Sequence, residues 1–431
     1  MRPGARIAAA IEVLEAILNR YQPVAIALTD WGKAHRFAGS GDRNAIGGLV
    51  YDALRRRSSL AWALGEDTPR ALAIGAAASA LGISPEAVAE ACTGADHAPA
   101  PLSNAELAGL TRDMSGAPDA ARADIPEWLW PSFSQQFGSQ AVAEGEAMAR
   151  RAPADLRVNT LKSTPEKVLK ALASFGAAPC PISPIGIRVP PPSGAQRTPN
   201  LQAEAAFQAG WFEIQDEGSQ IAALLSGASP RKQVLDLCAG AGGKTLALAA
   251  LMQNTGQLYA YDADRHQLKP IFERIKRAGV RNVQVIRAGE DAALEALGPR
   301  FDVVLADAPC TGTGTWRRRP DAKWKLKPEA LAARQSEQRT VIARAASLVK
   351  PGGQLVYVTC SILPEENTGQ VAAFLKDRDD FQAVPIAEAW TTAGLPGDAS
   401  TSADGRSDSL LLTPGRHGTD GFFIAVLKRA S

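Results

Sequence analysis

From residue 231 onward, short apolar runs alternate with amphipathic stretches, the pattern of a parallel sheet joined by crossover helices. Val234-Leu235-Asp236-Leu237 precedes a helix over Lys244 to Met252, and Gln257 to Tyr261 precedes one over Arg265 to Ala278. Val283 to Ile286 leads to a helix from Asp291 to Leu297. Val303 to Ala306 and Leu355 to Val358 flank a longer helix, Pro328 to Leu348, and Ser409 to Leu412 with Phe422 to Lys428 read as a closing hairpin. In an open parallel sheet, ligands bind outside the carboxyl ends of the strands. Three such ends carry chemistry here: Cys238-Ala239-Gly240-Ala241-Gly242-Gly243-Lys244-Thr245, Asp307-Ala308-Pro309-Cys310 and Thr359-Cys360. If the runs are neighbouring strands, a glycine-rich loop and two thiols converge on one crevice.

A chain of 431 residues exceeds one compact core and implies two or three domains. Residues 1–120 read as an all-α bundle, with Ile7, Ile11, Leu14, Ile17 and Leu18 at helical spacing and Asp42 placed to cap a helix carrying Ile46, Leu49 and Val50. Arg55-Arg56-Arg57 suits either phosphate contact or a solvated helix end. After a linker rich in Ala, Pro and Asp, residues 124–230 mix a strand at Leu156 to Leu161, a helix at Pro165 to Phe175 and a strand at Gly186 to Val189, a small α+β domain. Residues 231–431 form the α/β Rossmann-like domain. The fold class is therefore multidomain.

A net charge of +2 neither demands nor excludes nucleic acid. Five scattered cysteines argue against a disulfide framework and point to a reducing cytoplasm, and the four histidines show no zinc spacing, so no metal is expected. No apolar run reaches the ~18 residues of a membrane helix, and Glu12 and Glu15 interrupt any leader-like pattern. The chain is expected to be a monomer without membrane association.

The glycine-rich loop lets backbone approach a ligand at a helix start. It fails the P-loop pattern, which needs Gly where Cys238 stands, and it lacks the G-x-G-x-x-G of NAD sites. Asp262, closing the second strand, suits two ribose hydroxyls; Asp264 lies closer to the next helix and suits its cap. S-adenosylmethionine is the candidate cofactor.

The strings Leu-Asp-Leu-Cys-Ala-Gly-Ala-Gly-Gly-Lys-Thr, Asp-Ala-Pro-Cys, Tyr-Val-Thr-Cys-Ser and Pro-Glu-Glu-Asn resemble the RNA cytosine-5 methyltransferases of the Sun/RsmB type. So do Arg157 to Lys162, Gln215-Asp216-Glu217-Gly218-Ser219 and Thr419-Asp420-Gly421-Phe422-Phe423; the likeness covers roughly 124–431. The helical N-terminus resembles the NusB-like RNA-binding domain of RsmB. The resemblance implies a class I methyltransferase domain at 231–431 and a cofactor site at Cys238, Ala239, Gly240, Ala241, Gly242, Gly243, Lys244, Asp262 and Asp307, with Glu290 or Asp291 at the adenine side and Glu290 preferred. Ala241 stands where the family has Pro. The resemblance also implies that Cys360 bonds the base, that Cys310 assists breakdown of the adduct, and that Asp307 holds the cytosine edge. Lys244 would contact cofactor or base. Cytosine C5 is a poor nucleophile until a thiolate adds to C6, which explains the need for a thiol.

Basic residues interleaved with two tryptophans follow Cys310: Trp316, Arg317, Arg318, Lys323 and Trp324 suit phosphate neutralisation and base stacking. Arg157, Asn159 and Lys162 are expected to add an RNA-facing surface, although Asn159 also suits a turn. Together with these features, the resemblance implies an S-adenosylmethionine-dependent RNA cytosine-5 methyltransferase, and the likeness of the N-terminal domain to that of RsmB implies 16S ribosomal RNA as its substrate. Transfer RNA is the alternative substrate, and a non-catalytic RNA-binding assembly factor is the alternative class.

Overall fold

The computed structural model describes residues 1–95, 97–196 and 199–431. Contacts cluster them into two units: Met1–Ala152 with Pro191–Pro199 and Trp316–Lys325, and Pro153–Pro190 with Asn200–Thr315 and Leu326–Ser431.

The first unit is helical. Helices Pro3–Leu18, Ser40–Arg55 and Pro69–Leu81 enclose Ile7, Leu14, Ile46, Leu49, Leu72 and Ile74, each fully buried. Ala73, Ala76, Ala77 and Ala80 form much of the buried face of Pro69–Leu81, and their small side chains allow close helix approach. Thr68 caps that helix, its hydroxyl accepting from the Ala71 N–H at 3.2 Å. Asp42 does not cap its helix: Gly39 holds the cap position, and the Asp42 carboxylate instead accepts from Arg6 at 2.8 Å. Helices Asp119–Arg122, Trp130–Phe137 and Ala141–Met148 belong to this unit, which therefore extends beyond residue 120.

The second unit holds two sheets. Strands β1 (Ala154–Val158), β2 (Ala178–Pro179), β3 (Gly186–Val189) and β4 (Phe212–Ile214) form an antiparallel sheet in the order β2-β3-β1-β4. The larger sheet comprises β5 (Gln233–Asp236), β6 (Gln257–Tyr261), β7 (Val283–Ile286), β8 (Phe301–Asp307), β9 (Val349–Thr359), β10 (Phe381–Ala383), β11 (Leu410–Leu412) and β12 (Phe422–Arg429). Its order is β10-β12-β9-β8-β5-β6-β7, with β11 against β12. Strands β5 to β9 run parallel and β10 to β12 are antiparallel. Val234, Leu235, Val303 to Ala306 and Leu355 to Val358 are fully buried, as continuous apolar runs in a sheet covered on both faces must be.

The chain runs β5-β6-β7 to one side and returns to β8 on the other side of β5, which opens a crevice at the carboxyl ends of β5 and β8. Asp307 pairs with Val358 in the β8–β9 register, so Cys310 and Cys360 both emerge just beyond the same edge. The helix expected over Arg265 to Ala278 is broken into Arg265–Leu268 and Ile271–Ala278, because Pro270 has no N–H to continue the ladder. No described helix is long and apolar enough to cross a membrane.

Candidate active site

A cavity of about 380 Å³ opens at the switch point, lined by Cys238 to Ala241, Gly243, Lys244, Asp262 and Asp307 among others. Gly240 and Gly242 adopt φ of +50° and +85°, the left-handed region that favours glycine. Gly242 caps helix Gly243–Leu251 and packs against Ile271, so its missing side chain also lets the loop lie close to the neighbouring helix. Asp262 receives the Gly240 N–H at 2.8 Å on one oxygen and the Asp264 N–H at 2.8 Å on the other, while Asp264 caps the helix through His266. Each Asp262 oxygen keeps a lone pair for a hydroxyl.

These donors fit S-adenosylmethionine. Loop backbone and the Asp262 carboxylate face the cavity, and Asp236 behind the loop is fully buried with one oxygen unpartnered. Burial raises the Asp236 carboxyl to about 7, against the opposing effect of the Thr245 hydroxyl, which donates at 2.7 Å. Burial likewise pushes the Cys238 thiol well up, as do Asp262 and Asp307. Cys238 is thus a neutral wall of the cavity.

Lys244 resolves between its two expected partners through a third: its Nζ donates to Asp307 Oδ2 at 2.7 Å. The ammonium is buried and sits 5.2 Å from the Phe422 ring centroid, whereas Asp307 is one-third exposed toward the cavity. One carboxylate oxygen is therefore neutralised and fixed.

The Cys310 and Cys360 sulfurs approach to 3.4 Å. Cys310 holds its proton firmly, first because of the hydrogen bond with Cys360 and then because of burial and the nearby Glu366 carboxylate. Glu366 accepts from the Thr311 N–H at 2.8 Å, the Thr311 hydroxyl at 2.5 Å and Gln338 at 3.0 Å; Gln338 also donates to Pro309 O at 2.9 Å. The Cys310 turn is thereby tied to helix Pro328–Leu348. The Gly314 N–H donates to Cys360 O at 2.9 Å, and Gly421 donates to Gly314 O at 2.8 Å. A Cβ on Gly421 would meet Gly314 Cα at 2.6 Å, so the two segments can cross only without side chains.

Other expected positions fall elsewhere. Glu290 is exposed and accepts the Arg287 N–H at 3.2 Å beside its own helix start; it does not line the cavity. Asp291 instead accepts from Tyr261 at 2.7 Å and pairs with Arg344 at 2.6 Å, both of which line it. Of the two acids left open, Asp291 rather than Glu290 is the one bonded to side chains that line the cavity. Gly242 shapes the loop without lining the cavity.

Of the three residues expected to face RNA from the small sheet, the structure buries Arg157 and Asn159 and leaves Lys162 exposed. Arg157 is 2% exposed and donates to Gln215 and, at 2.6 Å, to Gly243 O, bracing the glycine loop. Asn159 is buried and donates to Gly210 O at 2.8 Å and Ala278 O at 2.9 Å, the turn-holding role. Lys162 donates to Arg277 O at 2.6 Å. Asp155, Cys180 and Glu217 gather nearby, but Arg188 donates to both carboxylates and compensates their charge.

In the first unit, Trp316 is 1% exposed and belongs to the core, Arg317 is buried, and Arg318 is half-buried. Lys323 is buried too, donating to Arg55 O at 2.9 Å and Asp124 O at 2.8 Å, with burial lowering its ammonium to about 8. Direct RNA contact by Trp316 and Lys323 is thereby corrected. Trp324 remains half-buried beside a cavity, its indole N–H donating to Leu54 O at 2.6 Å.

The cavity also uses residues without an assigned role: Gln215 and Ser219, joined at 2.9 Å, and Tyr261, Gln267, Val341 and Arg344. Gln215 and Ser219 lie in a string that carries the resemblance. Arg344, inside a long regular helix, gives no sequence signal.

Residues 223–428 match the family described as 16S rRNA methyltransferase RsmB/F, and residues 125–195 match the ferredoxin-like domain of RsmF/B-like methyltransferases. The probable ribosomal RNA small subunit methyltransferase B of Synechocystis is 32% identical over 312 residues, covering 71% of this chain and 67% of that protein. The corresponding methyltransferase B of Vibrio cholerae is 30% identical over 357 residues, covering 80% and 76%. A solved structure titled PH0851 superposes over 100% of this chain and 99% of its own, with a TM-score of 0.73 and 26% identity. With both domain models matched in order along the chain and relatives at 30% identity or more covered over two thirds of their length, the chain belongs to the RsmB/F family of S-adenosylmethionine-dependent methyltransferases.

Proposed function

We propose that this chain methylates carbon 5 of cytosine in small-subunit ribosomal RNA, in the cytoplasm, through a covalent bond between Cys360 and C6 of the base. The observation that carries the reading is the 3.4 Å approach of two thiols beside Asp307. The adjoining sulfur and burial favour the protonated form of Cys310; we assign Cys360 as the nucleophile and Cys310 as the resolving partner. The Cys360 thiolate adds to C6, and the former double-bond electron pair becomes available at C5. Asp307, fixed through Lys244, accepts from the amino edge of the cytosine as charge shifts in the ring. Bound S-adenosylmethionine supplies an electrophilic methyl group. Formation of the C5–methyl bond would break the methyl–sulfonium bond and leave the demethylated thioether; the C5 proton then leaves to a base, its electron pair restores the C5–C6 double bond, and the C6–sulfur pair returns to Cys360 as thiolate. A cytosine inside a helix must first be flipped out, at about a few kcal/mol.

The test is transfer of labelled methyl groups to unmodified 16S ribosomal RNA, followed by bisulfite sequencing. Protected cytosine in that RNA supports the proposal. Label confined to transfer RNA moves the substrate, and no transfer to any RNA leaves only a binding factor.

A further inference from the structure

The first unit carries two cavities along one helix end, distant in kind from the methyl-transfer chemistry. Trp62, Trp128 and Trp324, with Arg57, line the first, a space of about 660 Å³. Arg56, Arg122 and Arg150 line the second, of about 330 Å³, with Glu146 and the buried Asp124. The cavities adjoin: Arg56 and Arg57, Ser58 and Ser59, Ala121 and Arg122, and Asp124 and Ile125 are consecutive pairs, each split between the two.

We infer that this double cleft is a docking subsite for a single-stranded RNA segment, with a base on the tryptophans and its phosphate among the arginines; the inference rests on the RNA-substrate reading above. Aromatic faces beside a basic groove are what sequence-tolerant single-strand binding requires. Trp128 is 38% exposed, so its indole is open to stacking. Arg57 is already placed 5.7 Å from the Trp324 ring centroid and held there by Asp67 at 2.8 Å, a fixed wall rather than a free cation. The backbones of Arg56 and Arg150 are hydrogen-bonded within the helical unit, whereas their guanidinium groups form no hydrogen bond or ion pair among the described residues, which leaves both for phosphate. Arg122 is partly spent on Asp119 at 3.1 Å. The acids of the second cavity offset less than their number suggests: Asp124 accepts from the Ser59 N–H and hydroxyl at 2.9 and 2.8 Å, and burial raises its carboxyl.

The full chain is titrated with a short fluorescein-labelled oligouridylate, which contains no cytosine and so is not a methylation substrate. Trp128→Ala is expected to weaken binding at least about five-fold, and Trp128→Phe to retain most of it. The double variant Arg56→Gln/Arg150→Gln is expected to reduce the salt dependence of log affinity by about 1. Trp128 and Arg150 are exposed and Arg56 is half-buried; circular dichroism checks that each variant keeps the fold. Affinity unchanged in Trp128→Ala, or a salt slope unchanged in the double variant, overturns the inference. Unchanged RNA affinity with Trp128 fluorescence responding instead to a proline-rich peptide assigns the cleft to a protein partner and overturns it too. If the wild-type chain shows the expected pattern but methylates no RNA, the proposed function falls and the cleft stands; if it methylates and the pattern is missing, the cleft alone falls.

Discussion

The Sγ atoms of Cys310 and Cys360 lie 3.4 Å apart although 50 positions separate them in the chain. Parallel pairing of β8 and β9 accounts for this, since Asp307 and Val358 are opposite and each thiol follows within three residues. The Gly314 N–H on Cys360 O and the Glu366 carboxylate on Thr311 then tie the two turns to each other. The proposed division of roles, Cys360 as nucleophile and Cys310 as resolving partner, rests on this contact.

The division is testable by covalent capture. Cys360→Ala is expected to reduce methyl transfer to background and to give no RNA adduct on denaturing gels. Cys310→Ala is expected to form the adduct and fail to release it, so that a slow-migrating RNA–protein band accumulates. An adduct formed by Cys360→Ala reverses the assignment.

Asp307 and Lys244 form the next lever. Lys244→Met removes a buried partner from a charged hydrogen bond and is expected to destabilise the fold by about 2 kcal/mol in urea titration. Asp307→Asn keeps the shape and the lysine contact through its carbonyl but loses the charge. Its kcat is expected to fall about 10² to 10³-fold, the scale for removing one group that stabilises developing charge. A change in KM alone argues against that role.

Arg157 shows where sequence reading stops. The strand–helix alternation, the glycine loop, Asp262 and both thiols are legible because each obeys a local rule: apolar period, left-handed glycine, acid at a strand end. Burial is not local. Arg157, Trp316 and Lys323 have the composition of a nucleic-acid surface, yet the fold turns them inward: Arg157 and Lys323 donate to carbonyls at Gly243, Arg55 and Asp124, and Trp316 is buried without a partner for its indole N–H among the described residues. Glu290 fails for a similar reason: one residue of slip decides whether an acid faces its own helix start or Tyr261 and Arg344. The cavity wall contributed by Arg344 depends on helix Pro328–Leu348 packing on β8, which no short string encodes. Arg157→Met is accordingly expected to weaken cofactor affinity, measured by calorimetry with the demethylated product S-adenosylhomocysteine, and to leave the salt slope of RNA binding unchanged.

Asp236 supplies a pH signature. Its folded pKa of about 7 lies above the unfolded value of about 3.8, so between those values the folded state binds the extra proton. Its contribution to stability is therefore highest below about pH 4 and is lost as pH rises to about 7, with a limiting slope of about 1.4 kcal/mol per pH unit. Asp236→Asn removes the ionisation while keeping an oxygen for the Thr245 hydroxyl. Urea midpoints measured from pH 5 to 8 are expected to fall less steeply in the variant than in the wild type. Parallel curves would show that Asp236 does not titrate in this range.

Gly242 tests the loop without touching a titratable group. At φ +85° a side chain is strained, and a Cβ would approach Ile271 Cγ1 to 2.5 Å, inside any normal contact. Ile271 is fully buried against Ala239, Ala260 and Leu268, so it has little room to retreat. Gly242→Ala is expected to destabilise the chain by about 1 to 3 kcal/mol from backbone strain and overpacking. Because helix Gly243–Leu251 starts at this residue, the strain also displaces Gly243 and Lys244, which line the cavity. Cofactor affinity is therefore expected to drop further than stability alone explains. The double variant Gly242→Ala/Ile271→Val relieves the clash but not the φ strain, and is expected to recover part of both losses; no recovery in either would place the penalty wholly in the backbone.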